Sequence, residues 1–311
     1  MPNKNPRAQA RTPCGIGSRA VPAIIAGLNQ SDSTPRLQLL VTATLFSTGG
    51  AAIKAVSFAT WQVACLRSGF AALALLILLP GAHRFLNRRS LLVGLAYAAT
   101  MILFVAGNKL TTAANTIFLQ STAPLYLMLL GPLFLREPIR RRDLGFGFML
   151  AVGMALFFVG VETPYETAPD PFRGNIVAAV SGLTWALTIF GLRWLGRERG
   201  GDKAAAGAVA AGNLIACLVC LPLALPLSSG STADWTIVVY LGLFQIGLAY
   251  ALMTRAVRKV SALEVGLLLL LEPVLSAVWA WLVHGERPGT WSLAGCLLIL
   301  LSTLVYVLRR R

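Results

Sequence analysis

Charge is what this chain has least of. Only 13% of its 311 residues are charged, and they divide unevenly into 27 Lys or Arg against 12 Asp or Glu. Ordinary soluble domains carry about a quarter charged residues, so soluble globular domains are excluded. Metal-binding residues are also few. There are two histidines and five cysteines, and the zinc-like spacing of Cys217 and Cys220 has no second Cys/His pair to complete it. Those thiols are expected to be buried and inert, His83 and His284 sit at the ends of apolar blocks, and neither a metal nor a cofactor is expected. No Gly-x-x-x-x-Gly-Lys-Ser/Thr run occurs, which excludes ATP hydrolysis as an energy source.

What is present is apolar sequence in long blocks, with 56% hydrophobic residues and a mean hydropathy of +0.71. A bilayer core about 30 Å thick takes roughly 20 mostly apolar residues per helix. Ten such blocks are legible, at 37–55, 61–80, 91–110, 113–135, 144–161, 175–195, 204–227, 235–256, 262–283 and 291–308. The expected fold is therefore all-α and membrane-embedded. The net charge of +15 is not that of a nucleic-acid binder, because the cations punctuate the apolar blocks and do not gather on one arm.

The positions of those cations predict an orientation. The tail, with Lys4, Arg7, Arg11, Arg19 and Arg36, falls on one side together with the even-numbered loops and the terminal Arg309, Arg310 and Arg311. The other side holds only Lys54, Lys109, Arg173 and Arg287, while Arg67 lies inside a block. Cytoplasmic loops carry the excess of Lys and Arg, so both termini are expected in the cytoplasm of a cell with an inner, plasma membrane. Residues 1–36 form a polar tail, and its run 21–28 holds a proline and lacks a small-x-small cleavage site, against a signal peptide.

Shifting the sequence by 149 residues brings two stretches into register. Thr112-Ala113 falls on Ser261-Ala262, Pro124 on Pro273, Glu137 on Glu286, Leu144 on Leu293 and Lys109 on Arg258. Five crossings per copy, an odd number, invert the second copy. The predicted organisation is a first five-helix repeat at 37–161, an external linker at 162–174, a second, inverted repeat at 175–308 and a basic end at 309–311. Inverted repeats with a site near the midplane are a secondary-transporter architecture.

Several residues are candidates for that site. Glu272 falls at mid-block, where an ionisable group is costly and usually faces a cavity or the bundle interior. Ser276 and Trp279 follow it at helical spacing, and protons are a candidate coupling ion through its carboxyl. A structural carboxyl bonded to a neighbouring helix is the alternative. Asn115, Gln120 and Ser121 precede Pro124. Tyr97 stands on the third block, Trp185 on the sixth, and Gln245 and Tyr250 on the eighth. Packing or interfacial anchoring is the alternative for the aromatics. Pro124 and Pro273 each free a backbone carbonyl, of Gln120 and Leu269, and form a candidate hinge pair or two static bends. Arg67 either snorkels to the external interface or joins Lys54 and Lys109 in an external vestibule that draws carboxylates. Glu137 and Glu286 are expected to tie down adjoining turns. The small-residue run Ser47–Ala52 permits close helix approach, or lines a substrate path with bare backbone.

The stretch AANTIFLQSTAPLYLMLLGPLFLREP at 113–138 resembles the signature of EamA-type carriers of the drug/metabolite transporter superfamily, and 271–286 resembles the same signature in their second repeat. Gly182-Leu183-Thr184-Trp185-Ala186 also fits. The resemblance implies a cavity lined by spans 1, 3, 4, 6, 8 and 9, with the fifth and tenth as peripheral scaffold. It further implies export of amino acids, other metabolites or drugs. The YddG-type amino-acid exporter branch carries Trp-Ser-Thr where this chain has Phe46-Ser47-Thr48, a departure at the aromatic position. The function expected is export of amino acids or related small metabolites by alternating access, facilitated or proton-coupled. A cationic-drug exporter, a channel and a membrane-embedded enzyme are the alternatives.

Overall fold

A computed structural model describes residues 33–134, 141–161, 163–196, 201–227, 229–257, 259–260 and 262–308. The predicted tail up to residue 32, Glu137, Arg258 and the terminal arginines lie outside those residues. The chain divides into Met1–Thr34 and a unit Pro35–Arg311 that holds the helices.

In chain order the helices are α1 (Thr34–Ser47), α2 (Gly49–Ala55), α3 (Thr60–Leu78), α4 (Arg88–Leu110), α5 (Ala113–Gln120), α6 (Ala123–Phe134), α7 (Arg141–Val159), α8 (Pro171–Gly196), α9 (Gly201–Ala224) and α10 (Thr232–Tyr240). A π-helical segment Leu241–Leu248 joins α10 to α11 (Ala249–Ala256), and α12 (Ala262–Leu269), α13 (Leu271–His284) and α14 (Thr290–Leu308) complete the set. Among the described residues there is no strand, only an isolated bridge between Tyr165 and Ala168.

Among the described residues seven segments are long and apolar enough to cross a membrane: Thr60–Leu78, Arg88–Leu110, Pro171–Gly196, Lys203–Ala224, Thr232–Ala256, Glu264–His284 and Thr290–Leu308. Asp143–Val159 is a shorter apolar helix. The difference from the ten predicted blocks has a physical origin, because the first and fourth are each broken into two short helices, while the ninth, interrupted at Leu270, still forms one long apolar segment. In the first, the Ser47 and Thr48 hydroxyls donate back to the carbonyls of Thr44 (2.7 Å) and Leu45 (2.8 Å) just before a glycine pair. Back-bonding hydroxyls and glycine both weaken a helix there. In the fourth, Pro124 occupies the first turn of α6, where its missing N–H costs nothing, and the break falls at Ser121–Thr122, directly before it.

The broken backbone is covered by close-packed neighbours. A Cβ on Gly182 of α8 would lie 2.9 Å from the Leu119 carbonyl and 3.3 Å from that of Gln120, so only glycine lets α8 seat against the break. The Thr122 hydroxyl donates to the same Leu119 carbonyl at 2.6 Å. Around these breaks α3 packs against α9 and the π segment, α4 against α8 and α9, and α14 against α7.

Candidate functional site

The breaks meet at one cavity of about 280 Å³. From the fourth predicted span it takes Gln120, Ser121, Ala123 and Pro124, and from the ninth Leu269, Leu270, Glu272 and Pro273. Phe46, at the break in the first, joins them with Thr100, Met101 and Phe104 of α4 and Trp185 of α8. Gln245 and Tyr250 complete this wall. The lining also includes Arg67 of α3 and Ile299, Leu300 and Thr303 of α14, so the second and tenth spans contribute to a wall that the sequence resemblance assigned to others.

Among the described lining residues two are charged, Arg67 and Glu272. Arg67 is 2% exposed, which corrects the expectation of a side chain snorkelling to the interface. Its Nη2 donates to Gln245 Oε1 at 2.8 Å and its guanidinium carbon lies 5.7 Å from the centre of the Phe104 ring. Nε and Nη1 are buried without a hydrogen-bond partner. Gln245 in turn donates through Nε2 to the Phe46 carbonyl at 3.2 Å, an acceptor freed by the break in the first span. A Cβ on Gly49 would sit 2.7 Å from that same Nε2, so the glycine leaves room for the amide. Gln245 lies inside the π segment, a form of helix found most often at functional positions. Periodicity at 3.6 residues gives no warning of such a segment.

Glu272 is half-buried and has no hydrogen-bond partner among the described residues, so the alternative of a carboxyl tied to a neighbouring helix has no bond to support it. The expected companions on its helix face lie elsewhere. Trp279 Nε1 donates to Ser47 Oγ at 3.1 Å, and Ser276 packs beside Gly50, so both hold α13 against the first span. Tyr97 is buried behind the cavity, its ring edge-on to Tyr250 at 5.9 Å. Tyr250 also meets Phe46 edge-on at 5.3 Å. Gln120 donates to Ser181 at 2.7 Å, linking the broken helix to α8.

Lys54 is not a partner of Arg67 in a vestibule. Its ammonium forms an ion pair of 2.8 Å with Glu286, each side chain 2% exposed, and donates to the carbonyls of Thr111 (2.8 Å) and Thr167. Glu286 also accepts from the Thr167 hydroxyl at 2.8 Å and from the backbone N–H of Ala113 at 2.9 Å. Lys109 donates to the Val56 carbonyl at 2.6 Å, and His284 Nε2 to that of Ala51 at 2.8 Å. Asn115 belongs to this end, donating at 3.2 Å to Asn175, which also accepts from Thr111 at 2.8 Å. One end of the bundle is thus sewn shut by buried polar contacts.

The cavity lies on the far side of that seal. Ile189 stands 18 residues beyond the sealed start of α8 at Pro171, and Gly266 stands 18 residues before His284. At 1.5 Å per residue the lining thus reaches roughly 27 Å from the sealed end, starting from Ile117, about 6 Å beyond Ala113. At the far end the first and ninth spans meet through an exposed pair, Arg36 with Glu264.

A helical bundle of long apolar segments with broken helices around an internal cavity defines a multi-pass membrane protein. The profile of the EamA-like transporter family matches residues 36–159 and 172–308, and the chain belongs to that family. It is 26% identical over 192 residues to an uncharacterized transporter of Methanothermobacter thermautotrophicus, a match covering 60% of this chain and 54% of that protein. It is 28% identical over 206 residues to the uncharacterized transporter YdfC of Bacillus subtilis, covering 65% and 64%. The threonine/homoserine exporter RhtA of Salmonella typhimurium is 24% identical over 216 residues, 68% of each chain. The chain thus spans less than two thirds of the first two relatives. A solved crystal structure of another protein, 20% identical, matches 90% of this chain and 99% of its own with a TM-score of 0.58, a likeness of fold alone.

Proposed function

We propose that this protein exports amino acids or related small metabolites across the inner, plasma membrane by alternating access, either facilitated or in exchange for protons. The observation that carries the proposal is a cavity whose two charged wall residues, Arg67 and Glu272, are opposite in sign and not paired with one another, lying beneath a sealed end. A solute bearing both a carboxylate and an ammonium complements such a wall. The name of RhtA makes threonine and homoserine the first substrates to try.

The seven long apolar segments, the shorter Asp143–Val159 and the two broken spans make ten crossings under this proposal. Two matches of one family profile support a duplicated chain, and the odd number of crossings per copy inverts the second. Both termini then lie in the cytoplasm, the seal faces outward, and the described state is open inward. A cationic-drug exporter is less well served, because Arg67 places a positive charge in the same cavity wall as Glu272.

The deciding experiment is uptake of a panel of radiolabelled amino acids into proteoliposomes at two pH values, with a cationic dye as competitor. Saturable amino-acid counterflow unaffected by the dye supports the proposal. Dye transport without amino-acid uptake, or single-channel currents in planar bilayers, would replace it.

A further inference from the structure

We infer that Arg67, held by Gln245, is the seat of the substrate's carboxylate. The inference rests on the carrier proposed above and assigns a named group to one end of its substrate.

A guanidinium offers five N–H donors in a rigid planar fork. Here one is used, on Gln245 Oε1, and no carboxylate among the described residues pairs with the charge. Nε and Nη1 lie on opposite edges of the fork, so each edge keeps a free donor. A buried charge left in this condition is costly, and membrane proteins retain intramembrane arginines where they serve a pathway or a ligand. The arginine is also held in place. Gln245 fixes one nitrogen, the guanidinium carbon stands over the Phe104 ring at 5.7 Å, and α3 is pressed to the π segment, where a Cβ on Gly242 would meet the Arg67 carbonyl at 2.8 Å. A fork fixed in orientation, uncompensated in charge and set in a cavity wall matches a planar, bidentate anion. A carboxylate is the anion that the size and mostly apolar lining of this cavity fit.

Gln245 therefore has two tasks. Its oxygen orients Arg67, and its nitrogen ties that orientation to the broken first span through the Phe46 carbonyl. A carboxylate that takes up the free donors is in this way sensed by the helix break.

Direct binding to the full-length, detergent-purified protein tests this, using L-threonine, threoninamide, lactate and lactamide. Each amide keeps the shape of its acid and removes the anion. The wild type is expected to bind each acid at least tenfold more tightly than its amide. Arg67→Gln should bind acid and amide alike, and Arg67→Lys, which keeps the charge and loses the fork, should retain part of the discrimination. Equal binding of acid and amide by the wild type, or discrimination that survives in Arg67→Gln, overturns the assignment. Binding of lactate but not threonine, with the discrimination intact, leaves Arg67 in its role and removes the amino-acid substrate class. Wild type that binds none of the four overturns both. Arg67→Lys guards against a variant that fails to fold, because its charge preserves the Gln245 contact.

Discussion

Lys54 and Glu286 form an ion pair of 2.8 Å across 232 residues of chain, with each side chain only 2% exposed. It joins the end of α2 to the turn after α13, and Glu286 also holds the first turn of α5 through the Ala113 N–H. Removing one partner of such a pair generally costs about 3–5 kcal/mol, mostly because the survivor is left charged and buried. In a carrier with two accessible states, that cost falls on the state in which the pair is made.

Lys54→Met and Glu286→Gln are accordingly expected to favour opening of the sealed end. A cysteine placed at Ser121, in the cavity wall, should react with an external membrane-impermeant maleimide at least tenfold faster in either background. The double variant should be less impaired than the sum of the two, since it leaves no unpaired charge. Unchanged labelling rates would separate this pair from gating.

Two glycines should behave differently on substitution. Gly182→Ala sets a methyl 2.9 Å from a backbone carbonyl that has no room to retreat, and overpacking of this kind costs about 1–3 kcal/mol. Gly49→Ala meets the flexible end of Gln245 at 2.7 Å, so the amide can swing aside. The expected result is a lower unfolding midpoint in detergent for Gly182→Ala. For Gly49→Ala the expectation is a near-normal midpoint with a substrate affinity weakened at least tenfold, because Gln245 no longer steadies Arg67.

Glu272→Gln should retain fold and substrate counterflow while losing stimulation of export by a proton gradient, read in proteoliposomes with equal and unequal pH across the membrane. Equal stimulation in variant and wild type would remove Glu272 from coupling and leave facilitated exchange.

Topology follows from the placement of the cations. Single cysteines at Arg84 and Lys259 should be labelled from the cytoplasmic face, and one at Arg173 from outside. Labelling of Arg84 and Lys259 from opposite faces would dismantle the ten-crossing arrangement.

Some of this was legible in the sequence because it depends on local chemistry. A proline is tolerated best in the first turn of a helix, so Pro124 and Pro273 mark two helix starts, and both line the cavity. Glu272 was legible from its depth in an apolar block. The partners of charged groups were not. Arg67 finds Gln245 across 178 residues, in a π segment that has no period of its own, and so its position near a block end suggested the interface instead. Helical spacing placed Ser276 and Trp279 correctly on one side of α13, but it could not show that the first span, broken at Thr48 and thinned by glycines, would occupy that side. The Lys54–Glu286 pair was hidden for the same reason. Each residue reads as an exposed end of its own helix until the fold is closed.

The carboxylate of Glu286 supplies both the counter-ion of Lys54 and an acceptor for the first turn of α5. Drawing α13 away from α2 would therefore uncap α5 in the same movement. Ala113 would lose its anchor just as the sealed end parts, and α5 is only eight residues long before its own break at Ser121. Unlatching the sealed end and loosening the α5 half of the fourth span would then be one event, so fluctuations at that end would reach the cavity through a short, freed helix without any intervening messenger.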